Sequence, residues 1–131
     1  MFAPVAANLA AGVPLASLGS PLDPASLVLL PPLPLTVEPG VARGSVAGFD
    51  HFGNAVTNLT QGHLAGLGAR PRVCVEGHSL GQIEETFGSV APGSAVAVVG
   101  SSGRLELAVN GGSARDTLAL SVGAPVEVRR I

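Results

Sequence analysis

Hydrophobic and polar positions divide this chain into a helical start, a proline-broken middle and a long series of short strands. Ala3 to Ala11 has Val5 and Leu9 on one face at i and i+4, Pro4 in a first turn and Gly12 after the last. That spacing predicts a short helix. In Val13 to Pro39, Asp23 can cap a turn begun by Pro24, and Pro31, Pro32 and Pro34 forbid a central strand and favour extended chain. Such a connector is either a stiff spacer between domains or an arm wrapped on its own domain. From Gly40 the period shortens to that of strands. Ala42 to Phe49, Ala55 to Leu59, Arg72 to Glu76, His78 to Glu84, Ala95 to Val99, Arg104 to Val109 and Ala124 to Arg130 all read as strands. The link Gly100-Ser101-Ser102-Gly103 suits a hairpin. Thr60 to Leu67 predicts a helical turn capped by Thr60, with Leu64 and Leu67 inward. Ser113 to Leu118 predicts another, capped by Ser113. Phe87 to Gly93 predicts a turn around a buried Phe. Short strands at this spacing imply an antiparallel barrel or sandwich.

Composition narrows what such a fold can do. A chain of 131 residues supports one core. Only 12% of residues are charged, while 47% are hydrophobic and only four, all Phe, are aromatic. So few charges predict either some apolar surface covered by a partner or a surface made polar by Gly, Ser, Thr and Pro. All seven basic residues are Arg and the net charge is −2, so there is no basic patch for nucleic acid. Cys74 is the only cysteine, which excludes an internal disulfide. The three His (51, 63 and 78) have no metal-ligand spacing, so no metal site is expected. The apolar start has no positive residue before Arg43 and is broken by proline and glycine, which argues against a signal peptide or membrane span and makes the cytoplasm the default.

The densest chemistry lies in Gly48 to Leu59. Asp50 and Asn54 offer a carboxylate and an amide, Phe52 a flat apolar face, and Gly53 a backbone free to turn. These suit a flat polar ring such as a purine. On composition alone they suit better a hairpin turn at Gly53-Asn54, with Asp50 as its cap and Phe52 as a core residue.

The order of residues adds a resemblance. Asp50-His51-Phe52-Gly53-Asn54-Ala55-Val56-Thr57-Asn58 is similar to the signature of the S-adenosylmethionine hydrolases, the hydroxide adenosyltransferases related to fluorinating and chlorinating enzymes. Gly100-Ser101-Ser102-Gly103-Arg104-Leu105-Glu106-Leu107-Ala108-Val109-Asn110-Gly111-Gly112-Ser113-Ala114 resembles that family's second motif, departing at Gly100, where Asn is usual. The resemblance implies a mainly β fold: a small antiparallel β-barrel carboxy-terminal domain at 40–131, preceded by a Pro-rich connector at 13–39. Residues 1–12 then correspond to a helix at the end of the family's catalytic amino-terminal domain. It implies S-adenosylmethionine or adenosine as ligand, with Asn54 and the backbone around Val109, Asn110 and Gly111 at adenine. Asp50, Ser101 and Ser102 would meet the methionine end, and Phe52 would pack on the ring. It implies no cofactor and no catalytic residue in this chain, since the family's water-activating and ribose-gripping residues lie in the amino-terminal domain. The expected partner is therefore that domain, in a homotrimer whose sites lie between subunits. Val56 stands where the halogenating relatives carry Trp, which favours hydroxide as nucleophile over halide. A rival reading is a non-catalytic oligomerisation barrel.

Overall fold

The computed structural model describes residues 2–131. The chain divides into two compact units, residues 1–31 and Pro32–Ile131. The first contains helix α1 (Phe2–Ala10), with one 3-10 turn at Leu15–Ser17 and another at Pro24–Ser26. Asp23 caps the second turn by accepting a hydrogen bond from Ala25 N, as its place before Pro24 predicts. No residue of α1 is buried, and Val28, Leu29 and Leu30 are all exposed.

The second unit is built from eight strands: β1 (Thr36–Glu38), β2 (Val41–Phe49), β3 (Ala55–Thr60), β4 (Arg72–Val75), β5 (His78–Glu84), β6 (Ala95–Val99), β7 (Arg104–Val109) and β8 (Pro125–Arg129). The hydrogen-bonded order β2-β3-β7-β6-β5-β4-β8 returns to β2, which closes a seven-stranded barrel. β2 manages two partners along one edge. Its start pairs with β1 and its second half with β3, and the β3 pairing itself shifts register between Val46 and Gly48. β1 lies inside the stretch that proline content marks as extended connector. Thr36-Val37-Glu38 lies past Pro34 and contains no proline, so its backbone N–H groups can join a ladder with β2.

Alternation builds the core. In β3, Ala55, Thr57 and Leu59 point inward, and in β7 Leu105, Leu107 and Val109 do the same. Val46, Val73, Val126 and Val128 complete the interior. The one buried hydroxyl among them, on Thr57, donates to Leu105 O at 2.8 Å, so the core carries no unpaired polar group there. The outer face of β6 and β7 holds a second, smaller cluster of Val96, Val98 and Ala108, with Val90 packed against it.

The expected mainly β barrel with one amino-terminal helix forms, and it departs from the sequence reading at two points. The β5–β6 pairing (Ile83↔Ala97, Glu84↔Val98) is parallel, while the other strand pairings are antiparallel. Alternation fixes which face a residue takes and says nothing of strand direction. Here the residues between β5 and β6 cross over the barrel instead of turning back. Phe87, expected to be buried, is 40% exposed, because that crossing segment runs on the outside. The short helices match their signals. α2 (Gln61–Leu64) is capped by Thr60 in a reciprocal pair with His63, and α3 (Ala114–Thr117) by Ser113.

Candidate functional site

The loop between β2 and β3 folds around one carboxylate. Asp50 Oδ1 accepts from Phe52 N at 2.8 Å and Asn54 N at 2.9 Å, and Oδ2 accepts from the Asn54 side-chain amide at 2.8 Å. Gly53 takes φ +84°, and a Cβ there would run into Ser113. Its carbonyl accepts from Arg115 N at 3.0 Å, which ties the loop to α3. Burial pushes the Asp50 carboxyl up, but the hydrogen bonds from Asn54, Phe52 and Gly53 together outweigh it and hold it below its ordinary value. The capping reading of Asp50 is thus realised. Phe52 is not in the core: it is 74% exposed at the loop tip, edge-on to His51.

That tip forms one wall of an open groove of about 460 Å³ lined by Phe52, Asn54, Phe87, Ala108, Val109, Gly111 and Gly112. Register explains the meeting. Ala55 pairs with Leu107, so Asn54 falls beside Ala108 on the outer face, and the crossing segment brings Phe87 to the same place. Gly111 has φ +73°, and Gly112 N returns to Val109 O at 3.0 Å. The floor of the groove is therefore exposed main chain. Two aromatic faces, a backbone floor and one side-chain amide oxygen can hold a flat ring that bears an amine. Asn54 gives its N–H to Asp50, while among the described residues its Oδ1 takes no hydrogen bond.

The other predicted positions fall elsewhere. Asn110 does not take a left-handed backbone; Gly111 does. The Asn110 amide donates to Val90 O at 2.8 Å, and its main chain exchanges bonds with Gly93 and Ser94, fastening the crossing segment to β7. Ser101 and Ser102 are exposed at the tip of the β6–β7 turn, closed by Gly103 N to Gly100 O at 2.9 Å. Arg104, where β7 begins after that turn, lies four residues from Ala108, roughly 13 Å along the strand. The structure therefore unites Phe52, Asn54, Val109 and Gly111 and leaves the serine pair at the far end of the same face. Thr57 and Asn58 of the first motif are structural: Asn58 Oδ1 accepts from Ser45 N at 2.8 Å, and its amide donates to Pro34 O at 3.0 Å. Phe87 was missed as a site residue; its rarity, as one of four aromatics, was the available signal. Among the described residues no group of His, Cys, Asp or Glu could hold a metal. None of their helices is long and apolar enough to cross a membrane.

Residues 44–127 match the family model described as the SAM hydroxide adenosyltransferase C-terminal domain. The chain belongs to this family. An (R)-S-adenosyl-L-methionine hydrolase of Thermus thermophilus is 44% identical over 128 residues, which span 98% of this chain and 46% of that protein. A Salinispora tropica protein of the same name is 41% identical, with 98% and 48% covered. Among solved structures, a conserved protein of Thermotoga maritima superposes with a TM-score of 0.71 at 34% identity, over 99% of this chain and 51% of that one. A conserved protein of Thermus thermophilus gives 0.67 at 43% identity, over 97% and 50%. The chain spans about half the length of the curated relatives it matches.

Proposed function

We propose that this family domain holds the adenine end of S-adenosylmethionine in the groove between Phe52 and Phe87, and that it completes a hydrolase site with an amino-terminal half like that of its relatives. The observation that carries the reading is the unpaired Asn54 Oδ1 beside two aromatic faces and an exposed glycine backbone. The exocyclic amine of adenine donates to that oxygen, and the ring packs on Phe52 and Phe87. In the reaction this site serves, a water oxygen bonds to the ribose 5′ carbon as the carbon–sulfur bond breaks. The electron pair stays on sulfur, and the water releases a proton. The products are adenosine and methionine. This domain's share is alignment: a base fixed in the groove keeps carbon, sulfur and water in line. No side chain of the groove is a base suited to activate water, so the 131 residues alone bind without turning over.

Complementation tests this. The purified chain is mixed with the amino-terminal half of the Thermus thermophilus hydrolase, and adenosine release from S-adenosylmethionine is followed. Neither half alone should be active, and the mixture should release adenosine. A mixture that stays inactive although the two halves associate would favour a barrel that serves assembly only.

A further inference from the structure

Four of the seven arginines, Arg70, Arg72, Arg129 and Arg130, gather at the barrel end where β2 starts. From Val41 at this end, β2 runs eight residues, about 27 Å, to Phe49 and the Phe52 loop. Arg72 of β4 and Arg129 of β8 are direct cross-strand partners, both exposed on the outer face. Like charges so placed repel. Arg129 has Glu127 as a partner, but that carboxylate is shared with Arg43. On its other side Arg72 pairs with Gln82 of β5, which lines a cavity of about 320 Å³ with Leu67, Arg70, Arg130 and Ile131. Leu67 is buried and joins this cavity to the core. Gly68, at φ +86°, turns the chain out of the Ala65–Leu67 turn toward Arg70. Arg130 is fixed past the end of β8 by its backbone N–H, which donates to Gly40 O at 2.9 Å. Among the described residues no carboxylate, that of Ile131 included, forms an ion pair with Arg70, Arg72 or Arg130. Two unpaired guanidinium groups and an amide therefore surround one cavity, beside an arginine pair that repels itself. Guanidinium forks match phosphate oxygens in both shape and charge.

We propose that this cavity is a second ligand site, apart from the adenine groove, for a small oxyanion of the phosphate class. Its source is inorganic phosphate or the diphosphate of a larger metabolite. Arg70, Arg130 and Gln82 donate to the oxygens, and Arg72 and Arg129 supply the surrounding positive field. A small anion suits the place better than a polyanion. The whole chain carries a net charge of −2, and Glu84 and Glu85 line the next cavity beyond Arg70 and Gln82.

Nuclear magnetic resonance titration of the 131-residue chain with inorganic phosphate and with pyrophosphate tests this, at ionic strength held constant with sodium chloride. Saturable shifts should appear at the Arg70, Gln82 and Arg130 amides and not at Phe52 or Asn54, with a Kd of about 1 mM for so open a site. Tighter binding of pyrophosphate would identify the diphosphate as the source, and equal binding the single phosphate. Arg70→Gln and Arg130→Gln should each weaken binding about fivefold, the scale of one exposed charge contact. Arg115→Gln, which removes the same charge from α3 at the far end of the barrel, should leave it within about twofold. The amide spectrum reports whether each variant is folded. Shifts that grow linearly without saturation, or equal weakening by all three substitutions, would overturn the proposal in favour of diffuse attraction. Either result would leave the adenine reading untouched.

Discussion

Asp50 has its carboxylate oxygens shared among the Phe52 and Asn54 backbones and the Asn54 side chain, so its role in the loop is fixed before any ligand arrives. Asp50→Ala should cost about 1 kcal/mol in urea unfolding, the usual loss for a cap of this kind. The pH dependence has a definite sign. The folded carboxyl is held below its ordinary value, so its contribution is present above the unfolded carboxylate range and is lost as pH falls through the lowered folded value. The wild-type advantage over Asp50→Ala should therefore shrink under acid and be unchanged between about pH 6 and about 8. A difference that persists undiminished well below the carboxylate range would show that the alanine acts through loop backbone and not through charge. At this scale the sequence was legible for Asp50 and Asn54, because cap and turn chemistry are local. Phe52 was not: whether a lone aromatic packs or projects depends on what lies opposite, and that is tertiary.

The elements show the same division between local and non-local information. Hairpin β6–β7, the Thr60 and Ser113 caps and the β4–β5 pair all follow from neighbours in sequence, and all form where the pattern places them. The parallel β5–β6 pairing does not, because it is set by where the crossing segment finds apolar cover over Val96, Val98 and Ala108. That segment decides the fate of Phe87. Since Phe87 is 40% exposed, Phe87→Ala should change stability by less than about 1 kcal/mol, far from the roughly 3–5 kcal/mol of a core Phe. Adenosine affinity should nonetheless fall severalfold, for loss of one stacking face. Thermal melts and adenosine titration on the same sample check both parts. A large loss of stability with unchanged binding would place Phe87 in the core and remove it from the groove.

For the molecule as a whole, few charges and many exposed apolar side chains go together. Phe2, Val28, Leu29 and Leu30 are each more than four-fifths exposed, and all lie in the unit before Pro32. Val28, Leu29 and Leu30 are consecutive, and an exposed apolar run of this kind is what a partner surface covers. The chain should self-associate at about 0.1 mM, well above a micromolar association constant, and light scattering with and without residues 1–31 would locate the cause. A monodisperse monomer with the segment intact would contradict the covered-surface reading. Low charge in the sequence leads to this expectation, but it points to the barrel strands, whereas Val96, Ala97 and Val98 are buried and the most exposed apolar side chains lie before Pro32.

The central claim is that Asn54 Oδ1 and its two aromatic neighbours receive adenine. Calorimetry of the folded chain with adenosine tests it most directly, beside Asn54→Ala. A half-site should bind with a Kd of about 1 mM, since little energy remains after the cost of association. Asn54→Ala should weaken that about tenfold, for one lost hydrogen bond to a buried amine and a loosened loop. Heat that is absent for folded wild type at excess adenosine, or the same for both proteins, would contradict the account.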